Sequence, residues 1–460
     1  MRIHREVTML GESQIRELLE KALTISPADE TEIVLEAHDS ALTRFANNTI
    51  HQNVAEVNAE IAVRVVVGKR VGSAITNRLT EEALGRAIEE AVAIARLQPE
   101  NPEFPGLPDP APIEPVLAFD EAVAGATPEW RARAIGPICR MAESVGASAA
   151  GALSTGIYEL AVANSRGVFA YHVGTEAHFT TVVMCDDGSG YAHRAAWRLT
   201  DLHGEALGRS AIEKALRSRN PRPVEPGVYP VVLEPYAVDD ILSWLGYAGA
   251  GALAVQEGRS WMNDRIGRPI MSPMVTIWDD GRDPTGLPLP FDFEGVPRQR
   301  VVIVEKGVPQ GPVYDTITAA REGRRSTGHA LPRSRPQMAS LGPIPLHLFM
   351  APGEATLEEM IRQVDRGLYI TRFWYTRLVH PRDCVLTGMT RDGVFWIEKG
   401  EIAYPVQNLR FTQGYVPALA QVRAVGKERW VLSEGFGFTC VPALLLEAFT
   451  FTGVTEMPGG

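Results

Sequence analysis

Apolar residues recur with two different periods in the first part of the chain, and the two periods predict different elements. Residues 13–23 place their apolar side chains on one helical face, with Ser13 as the expected N-cap, and a second helical period follows Thr80. Between them, β-branched and alternating stretches are broken at Asn47-Asn48 and Gly68-Lys69. These pairs suit tight hairpin turns, so the pattern predicts a sheet with helices on one face.

A proline-rich segment interrupts these periods and predicts a boundary. Residues 98–118 hold prolines at a density that prevents helix and sheet interiors and favours an extended linker. We therefore expect an N-terminal α+β domain over residues 1–97 and a middle α+β domain over residues 119–220. A helix capped by Thr127 begins the middle domain.

The remaining residues, 225–460, show mainly strand periods after a single apolar helix. A buried strand over 228–235 leads into that helix, and residues 369–380 alternate as one long strand. Residues 392–406 predict a hairpin with a Lys-Gly turn. The expected fold class is α+β, with N-terminal α/β sheet-and-helix units followed by a β-rich C-terminal domain.

Composition and charge limit the classes of partner. The 460 residues carry a formal net charge of -11, so most of the surface repels nucleic acid and offers no basic face to a membrane. No run of about 18 uncharged apolar residues occurs and the first residues lack a signal-peptide pattern, so we expect a cytoplasmic protein. The four cysteines have no CxxC spacing and are expected to be buried thiols. Small molecules, peptides or a protein partner remain.

Two adjacent carboxylates, Asp239 and Asp240, stand where the apolar helix of the C-terminal region is expected to begin. Asp at a helix start accepts hydrogen bonds from unpaired backbone N–H groups and lies at the positive end of the helix dipole. We interpret the pair as a helix cap and not as a catalytic acid and base.

The predicted helices contain no pair of histidines with the spacing that zinc binding requires. Two histidines one turn apart are needed for both rings to reach one ion, and none of the ten histidines has another three to five residues away. His172, Glu176 and His178 share strand parity and therefore point to one side of a sheet. They form either a metal site on a sheet or a solvated polar face. The second interpretation is favoured because parity alone brings many polar residues together.

One basic segment contrasts with the acidic chain. Guanidinium groups suit carboxylates, so a peptide terminus or an acidic side chain could dock there. The alternative is a solvated surface loop. The arginines of this segment are Arg321, Arg324, Arg325, Arg333 and Arg335, and the residues that we assign to peptide contact are Arg324, Arg325, Ser326, Thr327 and His329.

Four stretches of the sequence together resemble the TldD/PmbA family of metallopeptidase-related proteins, over nearly the whole chain. The most specific is "GVFWIEKGEIAYPVQNLRF", residues 393–411. The others are "ALTRFANNTIHQN" at 41–53, "VTIWDDGRDPTGLPLPFDFEGVPRQRVVIVEKGV" at 275–308 and "STGHALPR" at 326–333. The resemblance implies the sheet-and-helix units and the β-rich C-terminal domain of that family.

The catalytic TldD branch of the family carries HExxxH on the first helix of its C-terminal domain, together with a later cysteine. The matching positions here are Leu242, Ser243 and Tyr247, and Cys440 falls several residues beyond the family's cysteine. Leucine cannot ligate zinc, serine is a poor base and tyrosine is rarely a zinc ligand. We expect no metal and no catalytic residue in this chain, and interpret Cys440 as a core residue.

The resemblance therefore implies a TldE/PmbA-like, non-catalytic subunit. Its expected partner is a TldD-like, HExxxH-containing subunit that holds zinc, in a heterodimer that degrades unfolded peptides or matures peptide precursors. Extended peptides would bind at strand edges by β-augmentation, and homodimers could form without the partner. Two alternatives stay open. One is a self-sufficient hydrolase with a relocated metal site at His172, Glu176 and His178, and the other is a homodimeric peptide-binding protein without peptidase activity.

Overall fold

The computed structural model describes residues 9–332, 336–435 and 437–454. Within these ranges the chain forms a sheet of six strands and a sheet of eleven, each packed against helices, and the predicted α+β class is confirmed. The helices are α1 (Glu12–Ile25), α2 (Glu81–Leu97), α3 (Glu121–Ala124), α4 (Pro128–Ser144), α5 (Gly204–Arg217), α6 (Pro235–Gly249), α7 (Ala252–Gln256), α8 (Thr316–Arg321), α9 (Pro336–Ala339), α10 (Leu357–Arg362) and α11 (Tyr415–Ala420).

The six-stranded sheet is antiparallel throughout, in the order β3-β2-β1-β4-β5-β6. Its strands are β1 (Glu30–Ala46), β2 (Thr49–Val67), β3 (Arg70–Thr76), β4 (Ser148–Asn164), β5 (Phe169–Cys185) and β6 (Gly188–Ala196). The predicted turn at Asn47 and Asn48 is confirmed, because both residues have the positive φ that a tight hairpin requires and that asparagine tolerates. Gly68 supplies the same conformation in the next turn.

The sheet continues across the proline-rich segment 98–118. Strand β1, which precedes the segment, pairs with β4, which follows it, over a long antiparallel register that includes Ala41 opposite Thr155. The two N-terminal units inferred from the sequence therefore share one sheet in the structure.

Helices α1, α2, α4 and α5 pack on one face of this sheet. Thr80 and Thr127 each accept a hydrogen bond from the backbone N–H three residues on, which confirms both predicted caps. The prediction of Ser13 as a cap is wrong. Helix α1 begins at Glu12, and Gly11 is its N-cap residue. Ser13 therefore lies inside the first turn of the helix and is not the residue that precedes it.

The eleven-stranded sheet contains a closed ring. Strand β17 pairs with β15 and with β7, and β15, β13, β12 and β7 are neighbours in turn, so these five strands return to their start. The strands are β7 (Val228–Leu233), β8 (Ile277–Asp279), β9 (Val301–Glu305), β10 (Val308–Pro309), β11 (His347–Met350), β12 (Arg366–His380), β13 (Val385–Glu398), β14 (Glu401–Pro405), β15 (Leu409–Gly414), β16 (Val422–Leu432) and β17 (Phe438–Val454). The predicted long strand and Lys-Gly hairpin are β12 and the β13–β14 pair.

Helix α6 packs against strands of this ring and fills much of its core. Ile241, Leu242 and Leu245 are buried there beside apolar residues of β12 and β17. Each buried leucine or isoleucine contributes roughly 2–5 kcal/mol relative to alanine. The position of α6 is therefore fixed by packing, whatever chemistry its polar residues have.

The cysteines and the apolar helices were the two other features considered from the composition. The four cysteines are buried and unbridged, as predicted. Among the residues described, no helix combines the length and apolarity required to cross a lipid bilayer.

Candidate functional site

The candidate site lies at the N-terminal half of α6, where the helix meets the six-stranded sheet. The helix begins at Pro235, one turn earlier than the sequence interpretation placed it, and Glu234 is its N-cap residue. The Glu234 carboxylate is buried and accepts hydrogen bonds from Lys214 Nζ at 2.6 Å and from the Tyr369 hydroxyl. The interpretation of Asp239 and Asp240 as a cap is wrong, because both lie inside the helix.

Each of the two aspartates is held by hydroxyl groups from other elements. Asp239 Oδ1 accepts from Thr439 Oγ1 on β17 at 2.7 Å. Asp240 accepts from Thr376 Oγ1 at 2.6 Å and from Tyr415 Oη at 2.5 Å. Burial raises the pKa of Asp240 to about 6, against the lowering effect of these two hydrogen bonds. The aspartates therefore fasten α6 to the strands and the helix around it.

Asp239→Asn is expected to flatten the pH dependence of stability. Burial raises the pKa of Asp239 to about 7, although the hydroxyls of Thr439 and Ser243 oppose the rise. An unfolded Asp titrates near pH ~4. The native state therefore binds the proton more tightly than the unfolded chain, and stability falls as the pH rises between about 4 and about 7. Asparagine is neutral and keeps an acceptor for Thr439.

Thermal melts across this pH range measure the effect. The wild-type Tm should fall toward pH 7 and that of Asp239→Asn should fall less. The matched control is Asp186→Asn, an exposed position in the β5–β6 turn with positive φ. If the Tm of Asp239→Asn fell with pH as steeply as that of the wild type, the raised pKa assigned to Asp239 would be contradicted.

The three positions that the resemblance aligns with the family's zinc motif provide no suitable ligand set. Leu242 is buried in the apolar core, and Ser243 donates weakly to Asp239 at 3.4 Å. Tyr247 packs edge to face against Trp244. Across the described ranges, no group of three or more His, Cys, Asp or Glu side chains is arranged to hold a metal ion. These residues do not fit zinc.

The loop between β16 and β17 covers this part of α6. A Cβ atom at Gly435 would lie 2.8 Å from Ser243 Oγ, so the loop backbone approaches the helix closely. The backbone N–H of Ser433 donates to His193 Nε2 at 3.2 Å, and Tyr191 Oη donates to Glu434. Tyr191 and His193 both belong to β6. The loop is thus tied to the N-terminal sheet as well as to the helix.

Sequence reasoning missed the aromatic and charged residues that lie where α6 meets β6. Tyr191 lies under the guanidinium of Arg372, with 3.8 Å between the guanidinium carbon and the ring centroid, and Tyr236 packs edge to face against Trp430. These residues come from segments far apart in the chain.

The histidines and glutamate on β5 do not form the relocated metal site considered from the sequence. His172 is buried against Tyr158, and burial lowers its pKa to about 4. Glu176 and His178 contact each other at 3.3 Å. The favoured interpretation, a solvated face, is wrong for His172, because Tyr158 and residue Pro288 of the C-terminal region cover that end of the strand.

The basic segment divides into exposed and buried residues. Arg324 and Arg325 are exposed, whereas His329 is fully buried, with Nε2 2.9 Å from Asp279 Oδ1 and Nδ1 2.9 Å from Thr327 Oγ1. Both ring nitrogens of His329 are therefore engaged inside the protein, and His329 is not presented to a peptide. Ser326 Oγ donates to the Tyr314 carbonyl at 3.2 Å.

The remaining arginines of that segment differ in their surroundings. Arg321 pairs with Glu103 in the proline-rich segment at 2.7 Å, which ties α8 to that segment. Arg333 and Arg335 lie outside the described residues.

Cys440 is buried on β17 in an apolar cluster, which confirms the interpretation as a core residue. Its neighbours in that cluster are Trp278, Phe349 and Phe438. Burial raises the pKa of the thiol to about 11. Within the described ranges Cys440 belongs to no group of side chains that could hold a metal ion.

The architecture defines a class of protein in which a six-stranded sheet-and-helix layer is joined to a β-rich domain containing a closed ring and a buried helix. Models of the three PmbA/TldA metallopeptidase domains match this chain: domain 1 at residues 31–95, the central domain at 106–219 and the C-terminal domain at 226–453. The chain belongs to the PmbA/TldD family.

Named relatives match most of the chain at low identity. It is 24% identical over 394 residues to "Metalloprotease PmbA" of Escherichia coli O157:H7, covering 81% of this chain and 82% of that protein. It is 22% identical to "Metalloprotease TldD homolog" of Buchnera aphidicola, covering 89% and 87%. The crystal structure of TldE from Thermococcus kodakarensis superposes with a TM-score of 0.84 at 22% identity, covering 96% of this chain and 99% of that one, which shows a shared fold.

Proposed function

We propose that this chain is a TldE/PmbA-like, non-catalytic subunit that pairs with a TldD-like zinc peptidase chain. The observation that carries the proposal is that helix α6 lacks a set of side chains that could bind zinc. The family models match all three domains of the chain. In the alignment that the resemblance implies, Leu242, Ser243 and Tyr247 occupy the positions of the zinc motif. No histidine in the sequence is followed by glutamate, so HExxxH does not occur elsewhere either.

In this proposal α6 has an architectural role. Its leucines fill the core of the strand ring, and Asp239 and Asp240 bind hydroxyls of Thr439, Thr376 and Tyr415. The helix is thereby held beside the β16–β17 loop without any metal. A rigid wall of this kind would shape the chamber in which the partner's zinc acts.

Extended peptides are the proposed substrates of the pair, degraded when unfolded or trimmed from precursors. Strands β14 and β16 each pair with one strand among the described residues, and their second edges are partly occupied: Arg222 forms hydrogen bonds at the end of β14, and residues 353–355 form hydrogen bonds with the middle of β16. The remaining parts of these two edges can accept a further strand. Main-chain hydrogen bonds to such an edge bind peptides of different sequence equally well. The exposed guanidiniums of Arg324 and Arg325 would attract peptide carboxylates.

Reconstitution of peptide hydrolysis tests the proposal. The purified chain alone, a purified TldD-like chain that carries HExxxH, and their mixture are each given an unfolded peptide. We expect hydrolysis only in the mixture, because neither chain alone completes the chamber. Ser243→Ala should leave the rate of the mixture unchanged, since this serine is not a base.

Hydrolysis by this chain alone would contradict the proposal. If that activity were lost in His178→Ala, it would support the self-sufficient hydrolase instead. If the two chains neither associate nor hydrolyse peptide together, the homodimeric peptide-binding protein becomes the better account.

A further inference from the structure

The outer face of the strand ring carries a basic and aromatic surface. Directly opposed residues of antiparallel strands point to the same face of a sheet, and so does every second residue along a strand. The opposite face is the apolar core, where Phe373, Leu386 and Phe411 are buried. We call the outward residues of three successive rows the ring face: Arg372 and Arg391 in the first row, Trp374, Met389 and Arg410 in the second, and Arg377, Thr387 and Thr412 in the third.

The ring face is positive although the chain has a net charge of -11, because none of its positions is Asp or Glu. Arg372 is neutralised by Asp392, with 2.5 Å between Nη2 and Oδ2. Arg391 is 47% exposed, and its Nε lies 3.9 Å from the other oxygen of that carboxylate. Arg377 and Arg410 are exposed and form no ion pair with any described residue. The guanidiniums of the last three arginines are therefore available to ligand carboxylates.

Two exposed aromatic rings lie among these arginines. Trp374 is 41% exposed and Tyr375 is 63% exposed. The guanidinium carbons of Arg372 and Arg391 lie 4.7 Å and 5.1 Å from the centroid of the Trp374 ring, and that of Arg377 lies 4.4 Å from the Tyr375 ring. Cation–π contacts of this kind hold the arginine side chains in place beside the rings. The indole thus offers apolar area to a ligand between fixed positive charges.

The two aromatic residues lie at a β-bulge. The register between β12 and β13 shifts between Trp374 and Arg377, and Tyr375 has a φ of 55°. A bulky residue rarely adopts this left-handed conformation, and such strain concentrates at ligand-binding sites. Thr376, the next residue, turns inward and donates to Asp240 of α6. The bulge therefore anchors β12 to the helix and leaves Tyr375 at the surface.

We propose that the ring face binds an extended acidic peptide segment, in which an aromatic residue lies midway between two acidic residues that are four positions apart. Arg391 and Thr387 are four residues apart on β13, which separates the first and third rows by about 13 Å at about 3.3 Å per residue. An extended peptide presents its residues i, i+2 and i+4 on one side over the same distance. Its carboxylates would meet Arg391 and Arg377, and its aromatic ring would pack on Trp374.

A peptide fits this surface better than a nucleic acid does. The overall negative charge of the chain repels a polyanion, whereas a short segment with two carboxylates carries charge only where the arginines are. The choice of a peptide as ligand rests on the proposed function, and the preference for acidic segments goes beyond it.

Peptide binding to the full chain alone tests the site by fluorescence anisotropy. The probes are fluorescein-labelled Ser-Gly-Glu-Ala-Phe-Ala-Glu-Gly-Ser and the same peptide with Gln in place of both Glu residues. We expect the Glu peptide to bind about tenfold or more tightly, and the double variant of Arg377→Gln and Arg391→Gln to remove this difference. Trp374→Ala should weaken both peptides by about fivefold, because the aromatic packing is lost.

The matched control removes the same charge elsewhere. Arg86→Gln combined with Arg209→Gln takes two exposed arginines from α2 and α5, and both Kd values should stay within about twofold of the wild type. The substituted arginines are exposed, so unchanged melting temperatures show that the variants fold.

Absent binding, or equal Kd values for the two peptides, would overturn the proposal. So would loss of binding in Arg324→Gln with Arg325→Gln but not in the ring-face variants, which would place the peptide on the basic segment. Tighter binding of a single-stranded oligonucleotide than of the Glu peptide would also overturn it. The assay needs neither a partner nor hydrolysis. Acid-selective binding without reconstituted hydrolysis would contradict only the proposed function, and hydrolysis by the pair without acid-selective binding would contradict only this site.

Discussion

Substitution of Arg64 by alanine is expected to lower the free energy of unfolding by about 3–5 kcal/mol, because it removes a buried guanidinium that pairs with two buried carboxylates. Arg64 Nη2 on β2 lies 2.7 Å from Glu32 on β1 and 3.3 Å from Glu294 in the C-terminal region, and all three side chains are buried. Burial by itself would lower the pKa of the guanidinium, but the attraction of the two glutamates outweighs it and raises the pKa. The triad thus fastens the six-stranded sheet to the C-terminal domain.

Urea denaturation of the variant and of a matched control measures this cost. Arg86→Ala removes an arginine that contacts Glu82 at the similar distance of 2.5 Å, but both of those side chains are exposed on α2. Exposed pairs of this spacing contribute about 0.3–0.5 kcal/mol. If the free energy of unfolding fell by the same small amount in both variants, the Arg64 triad would have to be hydrated and could not be part of a dry interface.

Local chemistry made parts of the fold predictable. Thr80 and Thr127 were identified as caps because one hydroxyl and one backbone N–H, close in sequence, decide a helix start. The Asn47-Asn48 turn follows from the positive φ that asparagine tolerates. Asp239 was misplaced because aspartate is common at helix starts. Pro235 carried the better signal, since proline favours the first helical turn and thus places the start there.

Long-range pairing could not be derived from local pattern. The pairing of β1 with β4 across the proline-rich segment, and the closure of the ring by β7 and β17, depend on contacts between distant segments. The same holds for the site, where Tyr191 and Glu434 meet from opposite halves of the chain. The family resemblance supplied what periodicity could not, by identifying which helix should carry the zinc motif.

The chain alone is expected to bind no stoichiometric zinc. Leu242 offers no donor atom, and the carboxylates of Asp239 and Asp240 are engaged by hydroxyls. Cys440 is enclosed in an apolar cluster, and among the described residues it belongs to no group of side chains that could hold a metal ion. His178→Ala should therefore leave the metal content unchanged.

Elemental mass spectrometry tests this central claim most directly. The purified chain is loaded with zinc, dialysed against a weak chelator and analysed alone and after assembly with a TldD-like chain. The account predicts a trace amount of zinc in the chain alone and one zinc ion for each assembled pair. One zinc ion per chain in the isolated protein, lost in His178→Ala, would contradict the account, because it would show that this subunit itself binds the metal.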